Sequence, residues 1–354
     1  MDARAAARVI DALRRGWPIR LAGTSGAATL LAVEGATPES LAAFDPAGQA
    51  PLLISASRAV TLKLANQREA ADPAAPVLIA RERWIATPAD AMAIADPVTD
   101  LATPFKGPFR ALAVAQPDAA SAALNLARLA TLLPAFFVGP ADGPAEAECT
   151  VADIAAFADP HRLAIAARAS LPVDGAEDAR IVAFRSPEDP REHVALIVGK
   201  PDATPPVVRL HSECFTGDVL GSLKCDCGPQ LHAALHEIGG AQWGVLLYLR
   251  QEGRGIGLIN KLRAYELQDQ GFDTVDANTR LGFAIDARDF GVAARMLDLL
   301  GIKAVRLLTN NPQKVAGLEA QGVRVVERLP LAVPSNPHNE RYLATKRDRT
   351  GHQL

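Results

Sequence analysis

Three of the four cysteines in this 354-residue chain fall within fourteen residues, as Cys214-x10-Cys225-x-Cys227. Thiols gathered this closely in a chain otherwise poor in cysteine point to a metal, and soft sulfur ligands favour zinc. The number of ligands matters more than their clustering. A structural zinc closes with four protein ligands, whereas a catalytic one keeps a position open for water or substrate. Three thiols with no obvious fourth partner therefore point to a zinc that takes part in chemistry. The competing reading, unpaired cysteines packed in a core, is disfavoured because such cysteines rarely cluster.

Length allows two domains with well-buried cores. A formal net charge of −3 gives no general basic field for nucleic acid, so any polyanion site must be local. No apolar run approaches the length of a membrane span, and the N-terminus reads straight into an amphipathic pattern rather than a signal peptide. Cys149 stands apart from the other three cysteines, which agrees with a reducing, cytoplasmic setting.

The pattern along the chain is mixed α/β in two domains. In the first half, residues 5–15 and 119–133 read as helices, and residues 19–21, 51–55 and 134–138 as strands. The loop composition of Pro172-Val-Asp-Gly-Ala-Glu-Asp178 predicts a boundary there, dividing the chain into 1–171 and 172–354. Beyond it, residues 207–210, 243–249, 304–309 and 323–327 read as strands. Helices are predicted over 230–238, 258–270, 292–300 and 313–321, an alternation that implies a βαβ element within a mixed sheet.

Several polar clusters lie where those strands end. In Gln251-Glu-Gly-Arg-Gly-Ile-Gly257 the glycines let backbone N–H groups approach an anion, and Arg254 supplies a guanidinium fork. The loop is neither a Walker A motif nor a dinucleotide fingerprint, and a plain glycine-rich turn competes evenly with it. Thr309-Asn-Asn-Pro-Gln-Lys314 puts a hydroxyl and an ammonium on a strand-to-helix turn, which suits phosphate but also reads as a simple capped turn. Asp286-Ala-Arg288, Tyr265 and His211 admit equally bland readings as a solvated helix start, a half-buried core residue and an orienting group.

Their order and spacing together carry a resemblance. The residues are Arg209-x-His-Ser-Glu-Cys-x-Thr-Gly-Asp218, Cys225-Asp-Cys-Gly228, Arg250-Gln-Glu-Gly-Arg254, Ile256-Gly-Leu-x-Asn-Lys261, Ala264-Tyr-x-Leu-Gln-Asp-Gln-Gly271, Asp273-Thr-Val275, Leu281-Gly-Phe-Ala284, Arg306-Leu-Leu-Thr-Asn-Asn-Pro312 and Asn336-Pro-x-Asn-x-x-Tyr342. From about Ile181 onward the chain closely resembles GTP cyclohydrolase II. That family hydrolyses GTP to 2,5-diamino-6-ribosylamino-4(3H)-pyrimidinone 5′-phosphate, formate and pyrophosphate, the first step of riboflavin biosynthesis. The resemblance implies zinc on Cys214, Cys225 and Cys227, activating water for attack at C8 of the guanine ring. It implies Tyr265 near ring opening, and Asp286 and Arg288 at the α-phosphorus, where stabilising charge is physically easier for Arg288 than acting as nucleophile. GTP would be held by Arg209, His211, Ser212, Glu213, Gln230, Glu252, Gly253, Arg254, Thr274, Thr309 and Lys314. It also implies magnesium on the triphosphate and a homodimer. Two alternatives compete: a paralogue with partial or altered nucleotide hydrolysis, and a nucleotide-binding regulator with a structural zinc.

In the first half, Ala12-Leu-Arg-Arg-Gly-Trp-Pro18, Ala36-Thr-Pro-Glu-Ser-Leu41 and Ala123-Leu-Asn-Leu-Ala-Arg-Leu-Ala130 resemble 3,4-dihydroxy-2-butanone 4-phosphate synthase. That family places an acidic metal-binding loop after the first strand, where this chain has Gly23-Thr-Ser-Gly-Ala-Ala-Thr29, and an Arg-x-Gly-His-Thr-Glu stretch where this chain has Ala115-Gln-Pro-Asp-Ala-Ala-Ser121. The expectation is a degenerate synthase-like domain kept for assembly or regulation.

Overall fold

A computed structural model describes residues 1–353, Arg341 by its backbone alone. The chain forms two compact units, Met1–Ala158 with Ile256–Ala287, and Asp159–Gly255 with the residues from Arg288 onward. No described helix is long and apolar enough to cross a membrane.

The first unit is built on a seven-stranded sheet in the spatial order Ala111–Leu112, Val77–Ile79, Leu52–Ile54, Ala135–Gly139, Ala27–Ala32, Ile19–Ala22, Ala147–Thr150. Its strands are apolar on both faces, because helices cover both. Side chains alternate across a strand: Leu30, Leu53 and Phe136 pack with the helices Ala3–Arg14 and Pro117–Leu129. Their neighbours Leu31, Leu52, Ile54 and Phe137 join the opposite core with Ile256, Ala264, Leu267, Ala277 and Leu281. That second core explains why residues 256–287, distant in sequence, belong to this unit. The helix Leu258–Asp269 is also pinned by Arg263, which reaches Glu34 at 2.9 Å and Asp96 at 3.1 Å.

The second unit holds the other seven-stranded sheet, ordered Arg324–Leu329, Ala304–Leu308, Val207–Ser212, Trp243–Leu249, His193–Gly199, Arg180–Arg185, Ala164–Ser170. Val207–Ser212 is parallel to Trp243–Leu249 on one side and to Ala304–Leu308 on the other. The remaining strands toward Ala164–Ser170 run antiparallel. This is the mixed α/β architecture expected from sequence.

The predicted boundary at 171/172 differs from the division of the folded chain. Pro172–Asp178 connects a hairpin, since Ala164–Ser170 pairs antiparallel with Arg180–Arg185. Turn residues mark a hairpin as readily as a linker, and the register of this pair draws residues 164–170 into the second unit. Elsewhere the expected elements form with ends shifted by a few residues; the helix predicted over 230–238 spans Cys227–Gly240.

Candidate active site

Four strands of the second unit run parallel side by side, and three of them each feed one of the polar clusters at their carboxyl ends. Val207–Ser212 runs into Glu213-Cys214, Trp243–Leu249 into Arg250–Gly255, and Ala304–Leu308 into Thr309–Lys314. Ligands of α/β proteins bind in the crevice at the carboxyl ends of parallel strands. Period two also decides which side chains face it. Val208 and Leu210 lie in the core beside Ala293 and Leu297, so Arg209 and His211 point to the opposite face, that of the helix Cys227–Gly240.

The cysteines meet there. Their sulfurs all lie within 4.8 Å of one another, and Cys214 Sγ is 3.7 Å from Cys225 Sγ. Two thiolates on a tetrahedral zinc at about 2.3 Å each would sit about 3.8 Å apart, so this spacing fits the ion. Gly217 N–H donates to Cys214 Sγ at 3.3 Å. A Cβ on Gly217 would stand 2.8 Å from Cys225 Sγ and 3.0 Å from Cys214 Sγ, so only glycine lets this turn line the sulfurs. Contact with Cys214 and Cys225, then burial, pushes the Cys227 thiol well above its usual range. Contact with Cys214 and burial also raise Cys225, against an opposing bond to Cys227. Thiols this crowded resist ionising side by side until a cation shares their charge, which is the chemistry of a metal site. Among the described residues the cluster consists of these three thiols.

Asp218 ties the cysteine turn to the sheet. Its carboxylate accepts from His211 Nε2 at 3.0 Å, from Tyr248 OH at 2.9 Å and from the Cys214 amide at 3.0 Å. Because a carboxylate only accepts, Nε2 carries the His211 proton. Burial lowers the His211 pKa against the pull of Asp218, which keeps the ring neutral. The ring stacks on Tyr248 with centroids 5.6 Å apart. Neither Asp218 nor Tyr248 is among the site residues expected from sequence.

Cations gather beside the thiols. Arg209 is 5% exposed; it donates to Leu308 O at 3.0 Å and to Gln230 Oε1 at 2.5 Å, while its buried Nε finds no acceptor among the described residues. Burial brings its pKa down to about 10, Arg288 adding to the shift and Asp226 and Cys227 opposing it. Buried Lys314 donates to Leu210 O at 2.7 Å. Glu252 accepts from the Phe215 amide at 2.6 Å, and Glu213 pairs with Arg250 at 2.8 Å. Arg254 takes the left-handed conformation at φ 60 between Gly253 at φ 63 and Gly255 at φ 91. That conformation is strained for a residue with a Cβ, and such strain concentrates at ligand-holding loops. Gln251 exchanges two hydrogen bonds of 3.0 Å with the backbone of Asp289, anchoring the residue next to Arg288 against this loop. His352 reports the resulting field: burial, then Lys346, Arg254, Lys314 and Arg288, depress its pKa to about 4. Four cations thus bear on one point in a chain of net negative charge.

A profile of the family described as GTP cyclohydrolase II matches residues 164–330. A GTP cyclohydrolase-2 of Azospirillum brasilense is 44% identical, over 99% of this chain and 94% of its own length. The chain belongs to the GTP cyclohydrolase II family. A riboflavin biosynthesis protein RibBA of Bacillus cereus is 52% identical over 58% of this chain and 52% of its own length. Its Bacillus subtilis counterpart is 55% identical over 49% and 44%. The chain thus spans about half the length of these Bacillus relatives. A solved structure of RibBX from A. baumannii, described as a two-domain 3,4-dihydroxy-2-butanone 4-phosphate synthase, overlaps at 19% identity with a TM-score of 0.31, too loosely to carry an argument.

Of the residues assigned from the GTP cyclohydrolase II pattern, Arg209, His211, Ser212, Glu213, Cys214, Cys225, Cys227, Gln230, Glu252, Gly253, Arg254, Arg288, Thr309 and Lys314 belong to the second unit. Tyr265, Thr274 and Asp286 belong to the first. There Tyr265 lies on the helix Leu258–Asp269 with Lys261 Nζ 5.7 Å from its ring, and Thr274 opens the helix Thr274–Arg280, capped by Asp273. Asp286 is half-buried in the segment that follows.

Beside the turn of residues 23–29 the first unit has a cavity of about 340 Å³ lined by Leu21, Ala27, Ala28, Leu30, Gln116 and Ala119 among others. The neighbouring turn is held by Asp118, which accepts from the Thr24 amide at 2.7 Å and its hydroxyl at 2.8 Å.

His193 supports the Arg250 loop from beneath, accepting the Arg250 amide on Nδ1 at 3.0 Å. Burial, Arg191 and Arg250 depress its pKa to about 4, with Asp189 opposing. The unfolded chain, with an ordinary value near ~6.5, binds a proton first. The contribution is therefore intact above that pH and is lost on acidification toward pH ~4, by about 3 kcal/mol. Denaturant midpoints at neutral pH and near pH ~4 should differ accordingly. His193→Asn, whose amide oxygen can accept the same N–H, should flatten the difference; an unchanged pH slope would refute this assignment.

Proposed function

We propose that this chain hydrolyses GTP to formate, pyrophosphate and 2,5-diamino-6-ribosylamino-4(3H)-pyrimidinone 5′-phosphate as the entry to riboflavin biosynthesis. The observation that carries this reading is the juxtaposition of three converging thiols with a cluster of cations at the ends of three parallel strands. Cys214, Cys225 and Cys227 would hold zinc, which when bound supplies Lewis acidity for hydrolytic opening of the imidazole ring.

The chain's own residues divide the remaining work. Arg209, Gln230 and Glu252 offer the donor and acceptor pattern that a guanine edge requires, with Arg209 Nε–H as a buried donor available to a base acceptor. Arg254, Lys314 and the Thr309 hydroxyl take the triphosphate, accompanied by magnesium. Arg288 stabilises charge developing at the α-phosphorus, with Asp286 as proton acceptor. Tyr265 serves the ring-opening step. His211, Ser212, Glu213, Gly253 and Thr274 complete the binding surface. The neutral His211 ring, locked by Asp218 and Tyr248, orients the cysteine turn. We further propose a cytoplasmic homodimer. In the N-terminal unit we propose a degenerate synthase-like domain kept for assembly or regulation, because alanine and leucine side chains line the place where carboxylates would serve a sugar-phosphate reaction.

The test is incubation of the zinc-loaded protein with GTP and magnesium, following formate and the diaminopyrimidinone together. Both products should appear in equal amounts. Pyrophosphate without formate would limit the chain to phosphoryl chemistry, and neither product would favour a nucleotide-binding regulator.

A further inference from the structure

We propose that Lys346, from the C-terminal helix Glu340–Thr350, is a positioning residue that fixes both the cysteine loop and the Arg209–Gln230 pair by gripping Asp226. The proposal rests on the zinc-dependent reading of the site above.

Asp226 stands between two of the three thiol residues and is 1% exposed. Its carboxylate has two partners on opposite sides. Lys346 Nζ donates to Oδ1 at 2.6 Å, and Gln230 Nε2 donates to Oδ2 at 2.5 Å. Gln230 in turn accepts from Arg209, which also donates to Leu308 O. One continuous chain of hydrogen bonds therefore runs from the C-terminal helix through the loop between Cys225 and Cys227 to the end of the strand Ala304–Leu308. The helix makes a second contact with the same loop, since Asn339 Nδ2 reaches the Cys225 carbonyl at 3.5 Å.

Lys346 is itself held. Its ammonium lies 4.4 Å from the Tyr342 ring, and its carbonyl accepts from the His352 amide at 3.1 Å and the Thr350 hydroxyl at 2.8 Å. The Gln353 amide continues to Asn310 O at 2.9 Å, on the Thr309–Lys314 turn. The ammonium is thus aimed rather than loosely solvated, with a side-chain exposure of 10%. Removing it leaves a buried carboxylate with one neutral partner, a state that is costly enough to move the loop. That movement shifts the cysteines and releases Gln230 from its fixed orientation. Groups that orient metal ligands in this way commonly affect metal affinity or activity by about 10–100-fold.

The experiment compares the full-length parent with Lys346→Met and Lys346→Arg. Zinc affinity is measured by competition with a chromogenic chelator, and KM for GTP and formate release are measured on zinc-loaded protein. Lys346→Met should weaken zinc binding by about 10–100-fold and raise KM. Lys346→Arg, which keeps the charge, should recover most of both. Zinc affinity and KM within about twofold of the parent in Lys346→Met would overturn the proposal, as would equal losses in the Arg and Met variants. Should Lys346→Met fail to fold, Asp226→Asn removes the charge at constant shape and must weaken zinc binding to the same degree; unchanged affinity there also overturns it. A parent that binds zinc but releases no formate would instead refute the functional reading, leaving zinc affinity to judge Lys346.

Discussion

Cys225→Ser is expected to abolish formate release, by more than about 100-fold, while leaving the folded state largely intact. Serine oxygen is a harder and far less acidic ligand than a thiolate, so a three-thiol site reduced to two should lose its zinc under chelator competition. A second-sphere change alone costs about 10–100-fold, and removing a direct ligand must cost more. The fold should survive because neither unit depends on a closed metal site for its core: the second unit has apolar clusters on both faces of its sheet. The check is formate release and zinc content, alongside a thermal melt. Normal turnover in a zinc-depleted variant would remove zinc from the reaction.

Asp218→Ala should be the most damaging single change near the site that leaves every proposed metal ligand in place. The substitution strands three buried or part-buried donors at once: His211 Nε2–H, Tyr248 OH and the Cys214 amide. Each unmatched group costs about 1–3 kcal/mol, so with partial relaxation the loss should be about 4 kcal/mol. For a unit of this size the melting temperature should fall by on the order of 10 °C. Asp218→Asn keeps one acceptor and should fall between parent and alanine variant. Zinc affinity should drop in parallel, because the Cys214 turn loses its tie to the sheet. A melt shifted by less than about 1 kcal/mol equivalent would mean that these hydrogen bonds do not hold the turn.

The two expectations differ in how far sequence could anticipate them. Cys214, Cys225 and Cys227 stand out because cysteine is rare in this chain and metal chemistry restricts what three of them can do together. Asp218 lies in the same short stretch but resembles any loop aspartate, and only its three converging donors reveal its weight. Tyr248 was hidden as one more aromatic in an apolar strand. Lys346 gave no signal at all: 120 residues separate it from its partner, and local spacing cannot encode such a pairing. The same limit explains the boundary near residue 171. Turn-forming composition is local, whereas the pairing of Ala164–Ser170 with Arg180–Arg185 depends on which sheet has an open edge.

The sequence by itself determined the alternation of strands and helices, the three-thiol cluster and the cationic loops, because periodicity, glycine placement and ligand chemistry are properties of neighbouring residues. Tertiary structure alone decided that residues 256–287 pack with the N-terminal sheet, that three neighbouring parallel strands deliver the polar clusters to one edge of a sheet, and that a C-terminal lysine reaches the loop between Cys225 and Cys227. Those outcomes follow from burying apolar faces and pairing buried charges across long stretches of chain, and the energies involved exist only once the distant partners are in contact.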